Sequence, residues 1–94
     1  MRTVEGDAMK VASRYSKQVA RAFGQALRAA RRRQGISQDR LGELCDLDRT
    51  YPSLLERGLR GPTVAMLLRL SGGLGVKPEQ LLADTVVRLL SQVM

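Results

Sequence analysis

The chain has 94 residues, with sixteen Lys and Arg against nine Asp and Glu, no His and a single Cys. That length fills one small domain and leaves no room for a second independent core. The absence of His, the lone Cys45 and the singly scattered acids remove a His-based general base, a Cys/His pair and a metal cluster, so an enzyme is disfavoured and neither cofactor nor metal is expected. The net charge of +7 is lopsided. Residues 1–33 carry nine basic and two acidic side chains, which accounts for all of it, while residues 34–94 carry seven of each.

The composition, 44% hydrophobic but only 3% aromatic and rich in Leu, Ala and Arg, predicts an all-α domain. One cysteine makes no internal disulfide, which suits a reducing cytoplasm, and no apolar run has the length of a signal-peptide core or a membrane span. The expectation is a soluble, cytoplasmic protein without a membrane partner. An isoelectric point near 10.8 points either to an anionic partner or to a well-solvated basic face.

In chain order, residues 1–15 lack a sustained apolar period and read as a flexible or weakly helical arm. From about Ser16, Val19, Phe23, Leu27 and Ala30 recur at steps of four, four and three, an amphipathic helix closed by Gly35. The opposite face carries Arg21, Arg28, Arg31, Arg32 and Arg33, and those in the last turn also suit the negative end of the helix dipole. Ser37 reads as the N-cap of a second helix over about 38–45, with Leu41, Leu44 and Cys45 inward. Asp46-Leu47-Asp48 forms a turn in which Asp46 tolerates a left-handed conformation and Asp48 caps a third helix, Arg49 to Arg57, stopped by Gly58. Two short helices joined by three residues make a helix-turn-helix.

Thr63 caps a fourth helix that is expected to fray or break at Gly72-Gly73, since each Gly costs about 1 kcal/mol inside a helix. Pro78 opens a last helix over about 78–93. Its Leu82, Val86, Leu89 and Val93 follow steps of four, three and four. Such a stripe packs either on the protein's own core or on the same helix of a second chain. With Leu81, Val87 and Leu90 adding apolar area on neighbouring faces, one stripe can serve each. The favoured reading is a homodimer joined through Leu82, Val86, Leu89, Leu90 and Val93.

Several separated elements occur together: Gly35-Ile36-Ser37-Gln38, Leu41, the run Leu47-Asp48-Arg49-Thr50-Tyr51, Glu56-Arg57-Gly58, Pro62, and Leu74-Gly75-Val76 before Leu81. In that order they resemble the Cro/CI (Xre) type of helix-turn-helix DNA-binding domain over about residues 22–82. Within that family the Leu47 to Tyr51 run, Ser53 and Glu56-Arg57-Gly58 resemble the controller proteins of restriction-modification systems. The resemblance implies a lambda-repressor-like bundle of about five helices with a C-terminal dimerisation helix. It also implies base contacts from Arg49, Thr50 and Tyr51, a phosphate contact from Gln38, a basic loop position at Arg60 near DNA, and a structural salt bridge between Arg31 and Glu56.

The chemistry of these residues agrees. A recognition helix enters a major groove about 12 Å wide, where Arg donates two parallel hydrogen bonds to guanine and Thr meets a thymine methyl. Ser53, one turn beyond Arg49, is placed to touch phosphate or base, and Arg28, Arg32 and Arg33 add phosphate attraction. Four positions depart from the family pattern: Gly42 stands where Ala is usual, Asp46 where a turn Gly is usual, Arg40 where an acid would complete a capping box, and Pro52 at a buried position of the recognition helix. Pro52 implies that the helix begins late or that its first turn is distorted.

The function expected is a homodimeric transcription regulator on a pseudo-palindromic operator in double-stranded DNA, in a bacterial or phage-encoded, nucleoid-associated setting. RNA polymerase or a toxin are its further partners. Two alternatives stand beside it: an antitoxin using residues 1–20 or the last helix, and an interaction adaptor on the same fold that does not bind DNA.

Overall fold

The structure, a computed structural model, describes residues 4–93, with the side chains of residues 15–92. Among the described residues there are five helices and no strand: α1 (Val4–Arg33), α2 (Gln38–Cys45), α3 (Tyr51–Glu56), α4 (Val64–Leu74) and α5 (Pro78–Val93). The molecule is elongated, 51 × 24 × 21 Å, because α1 alone is about 45 Å long at 1.5 Å per residue.

The helix expected from Ser16 starts at Val4, so residues 4–15, read from sequence as a flexible or weakly helical arm, form its first turns. Glu5, Ala8, Met9, Lys10, Ala12 and Arg14 are sound helix formers, and Val4, Ala8, Val11 and Tyr15 recur at steps of four, three and four in phase with Val19. Among the described side chains of α1 the buried stripe is Ala22, Phe23, Ala26, Leu27 and Ala30. Gly35 closes the helix at φ 69°, with its N–H on the Arg32 carbonyl and that of Ile36 on Arg31.

Ser37 caps α2, its hydroxyl accepting the Arg40 N–H at 3.0 Å, and Asp46 ends it in the left-handed region at φ 53°. Leu44, expected inward, is exposed; Gly42 completes the buried face with Leu41 and Cys45. On a helical wheel Leu44 lies about 60° from Leu41 on the side away from Cys45, whereas Gly42 lies on the Cys45 side, where Pro52 packs.

The expected break in α4 does not occur. The helix runs through both glycines and stops at Gly75, φ 67°, in a terminus where Val76 N–H reaches the Ser71 carbonyl. Gly73 is there because α4 lies against α2: a Cβ at that position would collide with the Cys45 sulfur. The intrinsic cost of Gly is accepted in exchange for that close approach. Thr63 caps the other end through Met66 N–H at 3.1 Å.

Phe23, Leu27, Leu41, Leu55, Leu67, Leu70, Leu74 and Leu81 form one core, with Ile36, Leu47, Tyr51, Met66 and Val76 against its rim. Each fully buried Leu contributes about 1.5–3 kcal/mol relative to exposure. The two buried hydroxyls, Ser71 and Thr85, donate to the carbonyls of Leu67 and Leu81 one turn back, so neither costs an unmade hydrogen bond. Helix α5 lies across α1. Leu82 and Thr85 sit beside Val19 and Phe23, Leu81 and Asp84 beside Ala30 and Arg33, and Gln92 reaches Gln25 at 3.0 Å. It buries Leu81 and Thr85 and leaves Leu82, Val86, Val87 and Leu90 outward.

Candidate nucleic-acid interface

The edge that could read a base is built in the turn between α2 and α3. Asp48 was expected to be the N-cap of α3. Its carboxylate instead accepts the Thr50 N–H at 2.9 Å and the Thr50 hydroxyl at 2.7 Å, a side-chain turn two residues long, while its carbonyl accepts Tyr51 N–H. These two bonds, the backbone one foremost, hold the Asp48 carboxyl below the ordinary carboxylate range.

Thr50 is the N-cap residue and has helical dihedrals, so α3 begins at Tyr51, two residues later than expected. Pro52 explains the shift. In the first turn its missing N–H costs nothing, and its ring is fully buried, filling the apolar position that the family pattern requires. Arg49 and Thr50 therefore stand exposed just ahead of the helix rather than on it, while Tyr51 is half-buried against the core.

The other end of α3 is fixed by a charged fork. Arg31 Nε and Nη2 donate to the two Glu56 oxygens at 2.6 and 2.9 Å, and Nη1 donates to the Ile36 carbonyl at 2.9 Å. Glu56 is almost fully buried, so this parallel geometry must repay a desolvation penalty. The hydrogen bonds to Glu56, ahead of the opposing effect of burial, raise the Arg31 pKa further. One residue pair thus joins α1, the α1–α2 turn and the recognition helix. Gly24 completes the joint, since a Cβ there would strike the carbonyls of Leu55 and Glu56.

Gln38 is drawn into the same network, its amide donating to Glu56 at 3.1 Å. One of its two amide N–H groups is thus committed inside the protein, leaving the other and the open N–H groups of the first turn of α2 for an outside partner. Ser53 is half-buried, and Arg60 is exposed in the loop after α3. Arg28, Arg32 and Arg33 are exposed on α1. Arg28 and Arg32 share a shallow depression with Gln25 and Arg88, and Arg33 sits beside Gln80 and Asp84, toward α5.

Sequence reasoning places Arg21 on the basic face of the first helix but gives it no role at α3, and it gives none to Arg57. Arg57, exposed, precedes Gly58, and Gly58 at φ 71° lies directly on the backbone of Arg21. The signal was available in the glycine, since a close approach at Gly58 needs a neighbour, but no spacing identifies Arg21 as that neighbour. Cys45 offers no reactive thiol: burial pushes its pKa up. Among the described residues no group of His, Cys, Asp and Glu could hold a metal, and no helix is long and apolar enough to cross a membrane.

The family model for the helix-turn-helix matches residues 27–81. Control protein C.BamHI of Bacillus amyloliquefaciens is 41% identical over 66 residues, which cover 69% of this chain and 82% of that protein. The crystal structure of the restriction-modification controller protein C.AhdI from Aeromonas hydrophila superposes with a TM-score of 0.64 at 39% identity, over 66% of this chain and 94% of that one. The clp gene regulator ClgR from Corynebacterium glutamicum matches with a TM-score of 0.76 at 27% identity, over 80% of each chain. The chain belongs to the helix-turn-helix family and is a DNA-binding transcription regulator of the controller-protein type. Its relatives are regulators and not enzymes.

Proposed function

We propose that this regulator acts as a cytoplasmic homodimer on a two-fold operator, one α3 per half-site, and that it controls the genes of a restriction-modification system as its relatives' names suggest. Arg49, Thr50 and Tyr51 contact bases, with Arg49 forking onto a guanine. Gln38, Ser53, Arg60, Arg28, Arg32 and Arg33 contact phosphates or backbone. Leu82, Val86, Leu89 and Leu90 meet the second protomer. Val93, assigned to the same interface, lies outside the described side chains.

The observation that carries this reading is the exposure of Arg49 and Thr50 at the amino end of α3 while its far end is clamped by Arg31–Glu56. Pre-organisation of that kind limits the entropy lost when a side chain meets a base edge. Thr50 enters with its hydroxyl proton held by Asp48, which leaves its methyl and oxygen lone pairs for the groove. Bound near a promoter, the dimer blocks or recruits RNA polymerase by occupancy. The likeness to control proteins favours this over the antitoxin and adaptor readings.

The test is selection of bound genomic fragments followed by gel shift. Arg49→Ala should weaken operator binding by about 10- to 100-fold, the 1–3 kcal/mol of a bidentate base contact, and leave binding to random duplex nearly unchanged. Equal losses on both would remove Arg49 from the reading surface.

A further inference from the structure

Helix α1 carries more basic groups than the helix-turn-helix uses, and they share one side. Lys10, Arg14, Lys17, Arg21, Arg28 and Arg32 follow one another at steps of four, three, four, seven and four along one continuous helix. At 100° per residue these register positions fall within an arc of about 60° and span about 33 Å of axis, close to one turn of B-DNA. The position that a regular series would fill between Arg21 and Arg28 is Gly24. Past Asp7, which stands three residues before Lys10 at the edge of this arc, α1 contains no acid. Lys17, Arg21, Arg28 and Arg32 are exposed, and none of them makes an ion pair or hydrogen bond to a described residue.

The stripe is continuous with the recognition surface. The carboxyl end of α3 rests on Gly24, between Arg21 and Arg28, and Gly58 rests on Arg21, which brings exposed Arg57 and Arg60 to the same corner. A duplex seated on α3 is therefore already at the middle of the stripe. The half of the stripe amino-terminal to Val19 runs past the crossing with α5.

We infer that α1 is a second, sequence-independent contact to duplex DNA, in which Lys10, Arg14, Lys17 and Arg21 follow the phosphates flanking the half-site. This rests on the DNA-binding reading above and adds to it a longer footprint. The chemistry favours a polyanion with regularly spaced charges over a single anion, because basic residues recurring every one or two helical turns match a chain of phosphates and no one group.

The test uses the full chain and two duplexes: the selected operator trimmed to its half-sites, and a mixed-sequence duplex about four helical turns long. In the variant Lys10→Gln/Arg14→Gln/Lys17→Gln, the log–log salt slope on the long duplex should fall by about 2 to 3, at about 0.9 per phosphate released, with affinity for the trimmed operator unchanged. Lys77→Gln, off the stripe, should leave both slopes alone, and circular dichroism should show the same helix content in all forms. An unchanged slope on the long duplex, or an equal loss on the trimmed operator, would overturn the flanking contact. A wild-type protein without preference for any selected fragment would overturn the operator reading instead, while the slope on mixed-sequence duplex still judges the stripe.

Discussion

Asp48 shows how a single exposed carboxylate sets up the reading edge. By holding the N–H and hydroxyl of Thr50, it fixes the turn from which Arg49 projects, and its pKa is depressed in consequence. A carboxyl whose folded pKa is depressed adds stability that is present above its unfolded value near 3.9 and is lost as pH falls through the lower folded value. The Asp48 carboxyl followed by NMR should therefore titrate below about 3.9, and in Thr50→Val it should return toward that ordinary value. A midpoint unmoved by Thr50→Val, which keeps the backbone N–H, would mean that the hydroxyl bond adds nothing to the hold on the charge. This turn could be read only partly from sequence. An acid between two short helices signals a cap, but whether it caps at its own position or two residues on depends on Pro52, which pushes the helix start to Tyr51. The Arg31–Glu56 fork, 25 residues apart, has no local signature and was visible only through the family pattern.

Helix contacts in this molecule are set by glycines whose roles differ, and sequence alone treats them alike. At Gly42 a Cβ would stand in ordinary contact, 3.6 Å from Pro52 Cγ and 3.5 Å from the Leu47 carbonyl, so the space for Ala is already present. At Gly73 the same atom would meet the Cys45 sulfur. Both substitutions gain about 1 kcal/mol of helix propensity, but overpacking costs about 1–3 kcal/mol. Gly42→Ala should accordingly raise stability to urea by about 0.5–1 kcal/mol, and Gly73→Ala should lower it by about 1 kcal/mol. In a Cys45→Ala background, where the colliding sulfur is gone, Gly73→Ala should become neutral or stabilising. Persistence of its full cost there would place the strain elsewhere. The helices themselves were legible because caps and periods are local: Ser37, Thr63, Gly35 and Gly58 mark ends without reference to the rest of the chain. Continuation through Gly72-Gly73 was not, because it depends on how near α2 lies to α4. The start of α1 was missed although Val4, Ala8, Val11 and Tyr15 lead into Val19 at steps of four, three, four and four, because Gly6 and the polar residues among them obscure the period.

Taken whole, the protomer leaves an apolar side uncovered. Val64 is 74% exposed, Leu82 48%, Val86 51% and Leu90 49%, and Val19, Pro62, Val64 and Leu82 line one groove with Phe23 and Leu67 at its floor. Monomers seldom expose a contiguous apolar patch beyond a few hundred Å², whereas a stable two-fold interface needs about 800 Å² from each partner. The basic stripe on α1 cannot share that side, because Val19 and Phe23 in the groove lie about 160° around the helix from Arg21 and Arg28. One face is therefore free for a second protomer while another faces phosphate, the arrangement that a two-fold operator demands. On the proposed interface, Leu82→Glu/Val86→Glu should leave the protomer folded, since both side chains lie outside the buried core, yet abolish in sedimentation the self-association expected of the native chain. The monomer should bind an isolated half-site as the native chain does and lose at least about 100-fold on the full operator, the avidity of two linked contacts. Leu81→Glu serves as the contrast: at 2% exposure its charge would enter the core, so unfolding rather than clean dissociation is expected. A Leu82→Glu/Val86→Glu chain that remains dimeric would move the interface off α5, and with it the spacing that the two recognition helices present to DNA.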